Sequence, residues 1–257
     1  NSTCGSYASL PGSRGTPGLV FTGSSTPDFG QGQASQEPYN WVVGGPTYPN
    51  LYAPTRQGGV IKTSYNYVLA RARQGNITPT DIASFCSGGI ANCTLPASIP
   101  HGVYIANGNL RLNSFTFPAN QNYVVLVTGD LTILGKIFVP TTSTALFSAS
   151  GDIKVDISVG EAGYTSTASS IEGIYSADRS FIIEGNNNCA VGVDIRLNVA
   201  GAVIVNGALL GGSFQNLRDL CGGNVCPAIS IKERPDFILN TPGFLRQPNF
   251  TYQEIAP

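Results

Sequence analysis

The sequence predicts an all-β protein: a single-stranded parallel β-helix of about five coils, with one N-terminal capping helix and irregular N- and C-terminal extensions. Three observations predict it. A short phrase recurs, in which a small or turn residue is followed by Asn or Asp and then by apolar–any–apolar. It reads Gly108-Asn109-Leu110-Arg111-Leu112, Gly129-Asp130-Leu131-Thr132-Ile133, Gly151-Asp152-Ile153-Lys154-Val155 and, more loosely, Val193-Asp194-Ile195-Arg196-Leu197. The first apolar positions are 110, 131, 153 and 195; the gaps are 21, 22 and 42, and the skipped step lands at Ile174. A fixed period of this length in a Gly/Asn-rich chain marks a solenoid. A second strand set, Val124 to Val127 and then Ala145 to Phe147, shares the 21-residue step. One such strand cannot bury its apolar row alone, whereas stacked coils, each adding ~4.8 Å, bury a continuous one. A β-sandwich would place hairpin-linked strands every ~8–12 residues. Two strand families on one long period favour coils.

Taken in order, residues 1–62 form an extended arm of Gly, Pro, Ser and Thr with Tyr39, Trp41, Tyr48 and Tyr52 inside fourteen residues. A disordered tail is poorer in aromatics, so the arm is expected to dock, on its own solenoid or on a neighbour. Residues 63–100 hold a capping helix and a disulfide loop. Thr63 or Ser64 caps the helix, Tyr65, Val68, Leu69 and Ala72 make its apolar stripe, and Gly75 ends it. It is expected to plug the first coil, whose open backbone groups would otherwise invite aggregation. The parallel β-helix occupies 101–230, with residues 160–170 leaving it as a small polar loop and Ser180 to Ile183 and Ala202 to Val205 continuing its wall. Residues 231–257 carry four prolines among large apolar side chains. Such sequence cannot be an inner strand and is expected to wrap over the last coil as a second cap.

Charged residues make up 11% of the 257-residue chain and the formal net charge is −1, well below the ~25% charged content of average domains. With no basic run there is no electrostatic footprint for nucleic acid or acidic lipid, and no apolar run reaches the ~18–20 residues of a membrane span. Methionine is absent even at position 1, so Asn1 is expected to follow a removed signal segment. Six cysteines fit an oxidising, extracellular or cell-surface location. Spacing allows Cys86–Cys93 and Cys221–Cys226 as local staples, leaving Cys4 and Cys189 as a third pair, among the fifteen pairings that six cysteines permit.

The runs Gly102-Val103-Tyr104-Ile105-Ala106-Asn107-Gly108, Val124 through Ile133, Asp194 through Val203, and the ending Glu233-Arg234-Pro235-Asp236-Phe237-Ile238-Leu239-Asn240 through Tyr252-Gln253-Glu254-Ile255-Ala256-Pro257 carry a resemblance. Over about residues 100–257 the chain resembles secreted or cell-surface proteins of small-genome candidate-phylum bacteria. The resemblance implies an extracellular parallel β-helix and carries over no catalytic residue.

His101 stands alone, which removes a His-based metal centre, and its place at the solenoid entrance suits a surface residue. No Gly-x-Ser-x-Gly elbow occurs, and Gly129 to Lys136 fails as a phosphate loop because Ile137 replaces the Ser or Thr. No metal or cofactor is expected. Asp130, Asp152 and Asp194 could line one face as in polysaccharide lyases and hydrolases, or could merely favour the turns before strands. Asn1, Asn76, Asn92 and Asn249 open Asn-x-Ser/Thr triplets and are candidate glycan acceptors. The expectation is a non-enzymatic extracellular structural protein that self-assembles into a surface filament or layer through its arm. An adhesin or carbohydrate-binding module using Tyr39, Trp41, Tyr48, Tyr52 and the 160–170 loop is the alternative, and a polysaccharide-degrading enzyme is the third reading.

Overall fold

The computed structural model describes residues 64–186, 188–189, 192–205, 212–221 and 226–246, and the backbone alone of 19–21 and 42–44. Strands dominate, at 37%, and lie in parallel sheets that curl as a half-barrel, with few helices. Two strands come from the arm, β1 (Leu19–Phe21) and β2 (Val42–Gly44). Helix α1 spans Ser64–Gln74, followed by the two-residue β3 (Thr80–Asp81). Then come β4 (Gly102–Ala106), β5 (Leu110–Leu112), β6 (Phe115–Thr116), β7 (Asn122–Val127), β8 (Leu131–Ile133), β9 (Ile137–Phe138), β10 (Thr144–Ala149) and β11 (Ile153–Val155). The chain continues through β12 (Ile171–Ala177), β13 (Phe181–Ile183), β14 (Leu197–Val205), β15 (Phe214–Asn216), β16 (Ile229–Lys232) and α2 (Pro235–Leu239).

Each pass of the chain gives one strand to the smaller sheet and one to the main path of the larger. The smaller sheet runs β5-β8-β11-β13-β15, and the larger runs β3-β4-β7-β10-β12-β14-β1-β2 along its main path. Leu110, Leu131, Ile153, Phe181 and Phe214 are register partners in the first. Tyr104, Val125, Phe147, Tyr175 and Val203 are partners in the second. A third column, Phe115, Ile137, Ile171, Val199 and Ile231, joins β6 and β9 to the starts of β12 and β14 and to β16. All three columns point into one core. At roughly 1.5–3 kcal/mol for each fully buried large aliphatic or aromatic side chain, these columns dominate the stabilisation. Aromatic rings stack between passes, Phe147 on Tyr175 at 5.1 Å and Phe181 on Phe214 at 5.9 Å.

Strands β12 and β14 bend where Gly173 and Gly201 face each other in register, with φ of +143° and +144°. A Cβ on Gly201 would collide with the Gly173 carbonyl oxygen. The corner thus requires glycine for its backbone angle and for its packing.

Several expectations need correction. The 21-residue step holds for the first three passes only. The smaller sheet continues at Phe181 and Phe214, not at Ile174 and Ile195. Ile174 pairs with Leu146 in the larger sheet. The phrase at Asp194 precedes β14 instead of entering the smaller sheet. Later passes lengthen because residues are added between β11 and β12 and between β13 and β14.

Helix α1 does not plug the first pass. Tyr65, Val68 and Ala72 pack on Val103, Val124 and Leu126, the outward side chains of the larger sheet, with Ile105 and Leu146 beside them. The physical reason is legible in β7, whose Tyr123 to Val127 is apolar at every position and buried throughout. A strand of this kind is covered on both faces. The end of the first pass is instead closed by the disulfide loop. Cys93 donates its amide to the Arg111 carbonyl at 2.8 Å and accepts the Asn113 amide at 2.9 Å, while Ile82, Cys93, Leu95 and Ile99 enter the core.

The C-terminal segment also departs from an end cap. Its first residues are strand β16, paired with β14 before the prolines begin. Helix α2 then turns back along the middle passes. Arg234 donates to the Val139 carbonyl at 3.2 Å and Asn240 to that of Thr141 at 3.0 Å, with Phe237 buried. Phe244 and Leu245 reach the α1 cluster.

Candidate functional site

The recurring Gly-Asn/Asp phrase builds the corner that leads into the smaller sheet, and the corner is a ladder. Asn109 Oδ1 accepts the Asp130 amide, Asp130 Oδ1 accepts the Asp152 amide, and Asp152 Oδ1 accepts the Ser180 amide, each at 2.9 Å. Ser180 Oγ continues the series by accepting the Ser213 amide at 3.1 Å. The glycine before each acid is set by the same contact. A Cβ on Gly151 would run into Asp130 Oδ1, and one on Gly129 into Asn109 Oδ1.

The carboxylates also meet cations. Lys154 Nζ lies 2.9 Å from Asp130 Oδ2 and 3.8 Å from Asp152 Oδ2, and Arg179 Nε is 3.9 Å from Asp152 Oδ1. Burial raises the Asp130 pKa. The hydrogen bonds from Lys154 and the Asp152 amide, with the charges of Lys154 and Arg179, outweigh it and leave the carboxyl below its ordinary value. The bond to Asp130 raises the Lys154 ammonium against its own desolvation. Both oxygens of Asp130 are occupied and its acidity is enhanced. A general acid needs the opposite shift, so the geometry favours the turn role of this row. Asp194 is not part of it. This buried side chain accepts the Asn186 amide at 2.9 Å and the Asp219 amide at 2.8 Å, tying two connecting segments together.

Beside Asp194 lies a group that the sequence reading missed. Arg218 is 1% exposed. Its Nη1 donates to the carbonyls of Val159 and Ile195, Nη2 to Asp156 and Nε to Glu184, at 2.7 to 3.0 Å. Burial pushes its pKa down, to about 10, against the carboxylates of Asp194, Asp156 and Glu184. Four acceptors around the fork keep the guanidinium charged at neutral pH. Parity was the available signal: Arg218 alternates with Leu217 and Asp219 in step with buried Phe214, Asn216 and Leu220.

The 160–170 loop is fastened to the wall. Glu161 exchanges two backbone hydrogen bonds with Arg196, whose Nη1 donates to the Tyr164 carbonyl at 2.9 Å. Asn198 Nδ2 donates to the carbonyls of Ser166 and Ala168 at 2.9 and 2.8 Å, and Lys136 Nζ reaches Glu161 Oε1 at 2.5 Å. The Tyr164 side chain is left 48% exposed at the loop's outer surface.

Cys86–Cys93 is a disulfide, as the spacing suggested. The expected Cys221–Cys226 bridge is replaced by Cys189–Cys221, with a Cα–Cα distance of 5.7 Å. Their separation of 32 residues nearly equals the local pass length from Phe181 to Phe214, so stacking brings them together. The third expected pair, Cys4–Cys189, is excluded by the same bond. Cys226 is disulfide-bonded too, and Cys4 lies outside the described residues. Asp219 sits close to the sulfurs of Cys189 and Cys221, but sulfurs joined to each other offer no thiolate to a metal. His101 is exposed, as are Asn76 in the turn after α1 and Asn92 in the disulfide loop. Tyr39, Trp41, Tyr48, Tyr52, Asn1 and Asn249 lie outside the described residues. No helix among the described residues is long and apolar enough to cross a membrane. Comparison with protein families, with curated proteins and with solved structures finds no match for this chain.

Proposed function

We propose that this chain is a non-enzymatic extracellular structural protein, a parallel β-helix whose copies assemble into a surface filament or layer. The β-helix reading rests on strands that recur once per pass in the smaller sheet and along the main path of the larger, parallel and in register. An extracellular setting is supported by Cys86–Cys93 and Cys189–Cys221. The observation that carries assembly is the placement of β1 and β2. The arm adds strands to the edge of the larger sheet, pairing Val20 with Val203 and Phe21 with Ile204. A sheet that grows by strand addition at one end is suited to head-to-tail association, which leads to open filaments where the rotation does not close. Electron microscopy and light scattering of the purified chain over a range of concentrations, without reductant, test the reading. Ordered filaments or sheets are expected; a monodisperse monomer at every concentration overturns it.

Carbohydrate binding is the second reading, favoured by exposed Tyr164 on a loop held by buried Arg196 and Asn198. A rigidly mounted aromatic face is a stacking platform for sugars. Selective glycan-array binding that disappears in Tyr164→Ala would support it.

A further inference from the structure

We infer that the edge of β14 is a strand-acceptor site, and that in the assembled protein its occupant is β1 of a second copy of this chain. The inference rests on the assembly reading and names the surface and the donor. Within one chain β1 pairs parallel with β14 through two registered residues, Val20 opposite Val203 and Phe21 opposite Ile204, and β2 adds outside it. These are three-residue strands at the margin of the larger sheet, beyond β14. Two register pairs join β1 to β14, a short pairing that β1 of a second copy can reproduce.

The connection is long enough to reach. Residues 45–63, nineteen in all, lie between β2 and α1 in the sequence. Fully extended, a segment of that length spans about 60–70 Å. Five stacked passes at ~4.8 Å each rise only about 20–25 Å. An arm on this connection can therefore pass the end of its own stack and meet the same β14 edge on a neighbour. The contacts made in trans equal those made in cis, which is why exchange of identical elements is a low-cost route to association. Concentration then decides the occupant. At the opposite end the larger sheet finishes on two-residue β3, and the Cys86–Cys93 loop covers the β5 edge of the smaller one.

The test uses pairs of full-length variants. Phe21→Cys in one preparation and Ile204→Cys in another are mixed, refolded together, concentrated to the assembling range and oxidised. Register partners in a parallel sheet lie within the ~4.4–6.8 Å Cα separation of a disulfide, and half-buried Ile204 tolerates the change. Val20→Cys with Val203→Cys is a second pair in case the first disturbs folding. Peptide mapping should find the thiol introduced at position 21 of one chain bonded to the thiol introduced at position 204 of another, with the native Cys86–Cys93 and Cys189–Cys221 bridges retained. The double variant in one chain should cross-link within the chain when dilute and between chains when concentrated. Filaments that form with no interchain cross-link, while the concentrated double variant closes only within its own chain, would overturn strand exchange and leave assembly to another surface. A chain that stays monomeric at every concentration and never cross-links between copies would overturn both.

Discussion

Asp130 Oδ1 accepts the backbone amide of Asp152 at 2.9 Å, and Asp152 repeats the contact one pass later on the Ser180 amide. The side chain of one pass thus completes the backbone hydrogen bonding of the next. Asn109 does the same work without a charge, so the amide bond and the ion pair to Lys154 are separable. Asp130→Asn preserves an acceptor; Asp130→Ala leaves the Asp152 amide without its partner, at roughly 1–3 kcal/mol for a buried donor. Urea unfolding should show a loss in that range for the alanine variant and clearly less for asparagine. Equal losses would place the stabilisation in the ion pair instead.

The same row fixes a pH dependence. The folded-state pKa of Asp130 lies below its ordinary value. Its contribution is therefore complete above the unfolded carboxyl pKa of about 3.9 and is lost as pH falls through the folded value. Lys154 is raised, so its contribution is complete below about 10.4 and is lost as pH rises through the folded value. Stability against pH should fall at both extremes, and Asp130→Asn should flatten both limbs. An unaltered acid limb in that variant would assign the acid sensitivity to other carboxylates.

Much of this was legible in the sequence because the first three passes are regular. Leu110, Leu131 and Ile153 share a turn phrase, a period and a register. The rest was lost where the period lengthens. Ser180 and Ser213 occupy the acid's position with a hydroxyl, so the phrase disappears although the ladder persists. The covering of the larger sheet was encoded in Tyr123 to Val127, but a continuous apolar run reads as a strand without saying what lies outside it. The Cys189–Cys221 bond was obscured because pass length, not proximity in the chain, decides which cysteines meet.

Arg218 gathers four carbonyls from Asp156, Val159, Glu184 and Ile195, which lie in the connections between strands. Arg218→Met fills comparable space but leaves several buried acceptors unpaired, and each costs roughly 1–3 kcal/mol. Arg218→Lys provides a compact ammonium in place of the planar fork and cannot meet acceptors spread around it. Both variants should lose more than about 3 kcal/mol in chemical denaturation, the upper range for a single substitution. Limited proteolysis should now cut between 156 and 170. Near-native stability in the lysine variant would mean that charge alone, without the fork, holds these segments.

Val68 projects from α1 into the outward cluster of Val103, Val124 and Leu126. Val68→Ala should cost about 1–2 kcal/mol through the lost contacts and the small cavity. Val68→Asp places a charge against an apolar sheet face, so the helix should undock. The inner columns do not depend on α1, and the chain should keep its strand signature while binding an apolar dye at the uncovered face. Hydrogen exchange locates the damage. Protection should fall across 64–74 and around Phe244 and Leu245, which share the cluster, while the Cys86–Cys93 loop retains it. Loss centred on residues 80–99 would instead mean that the helix guards the end of the stack, since that loop is what closes the first pass.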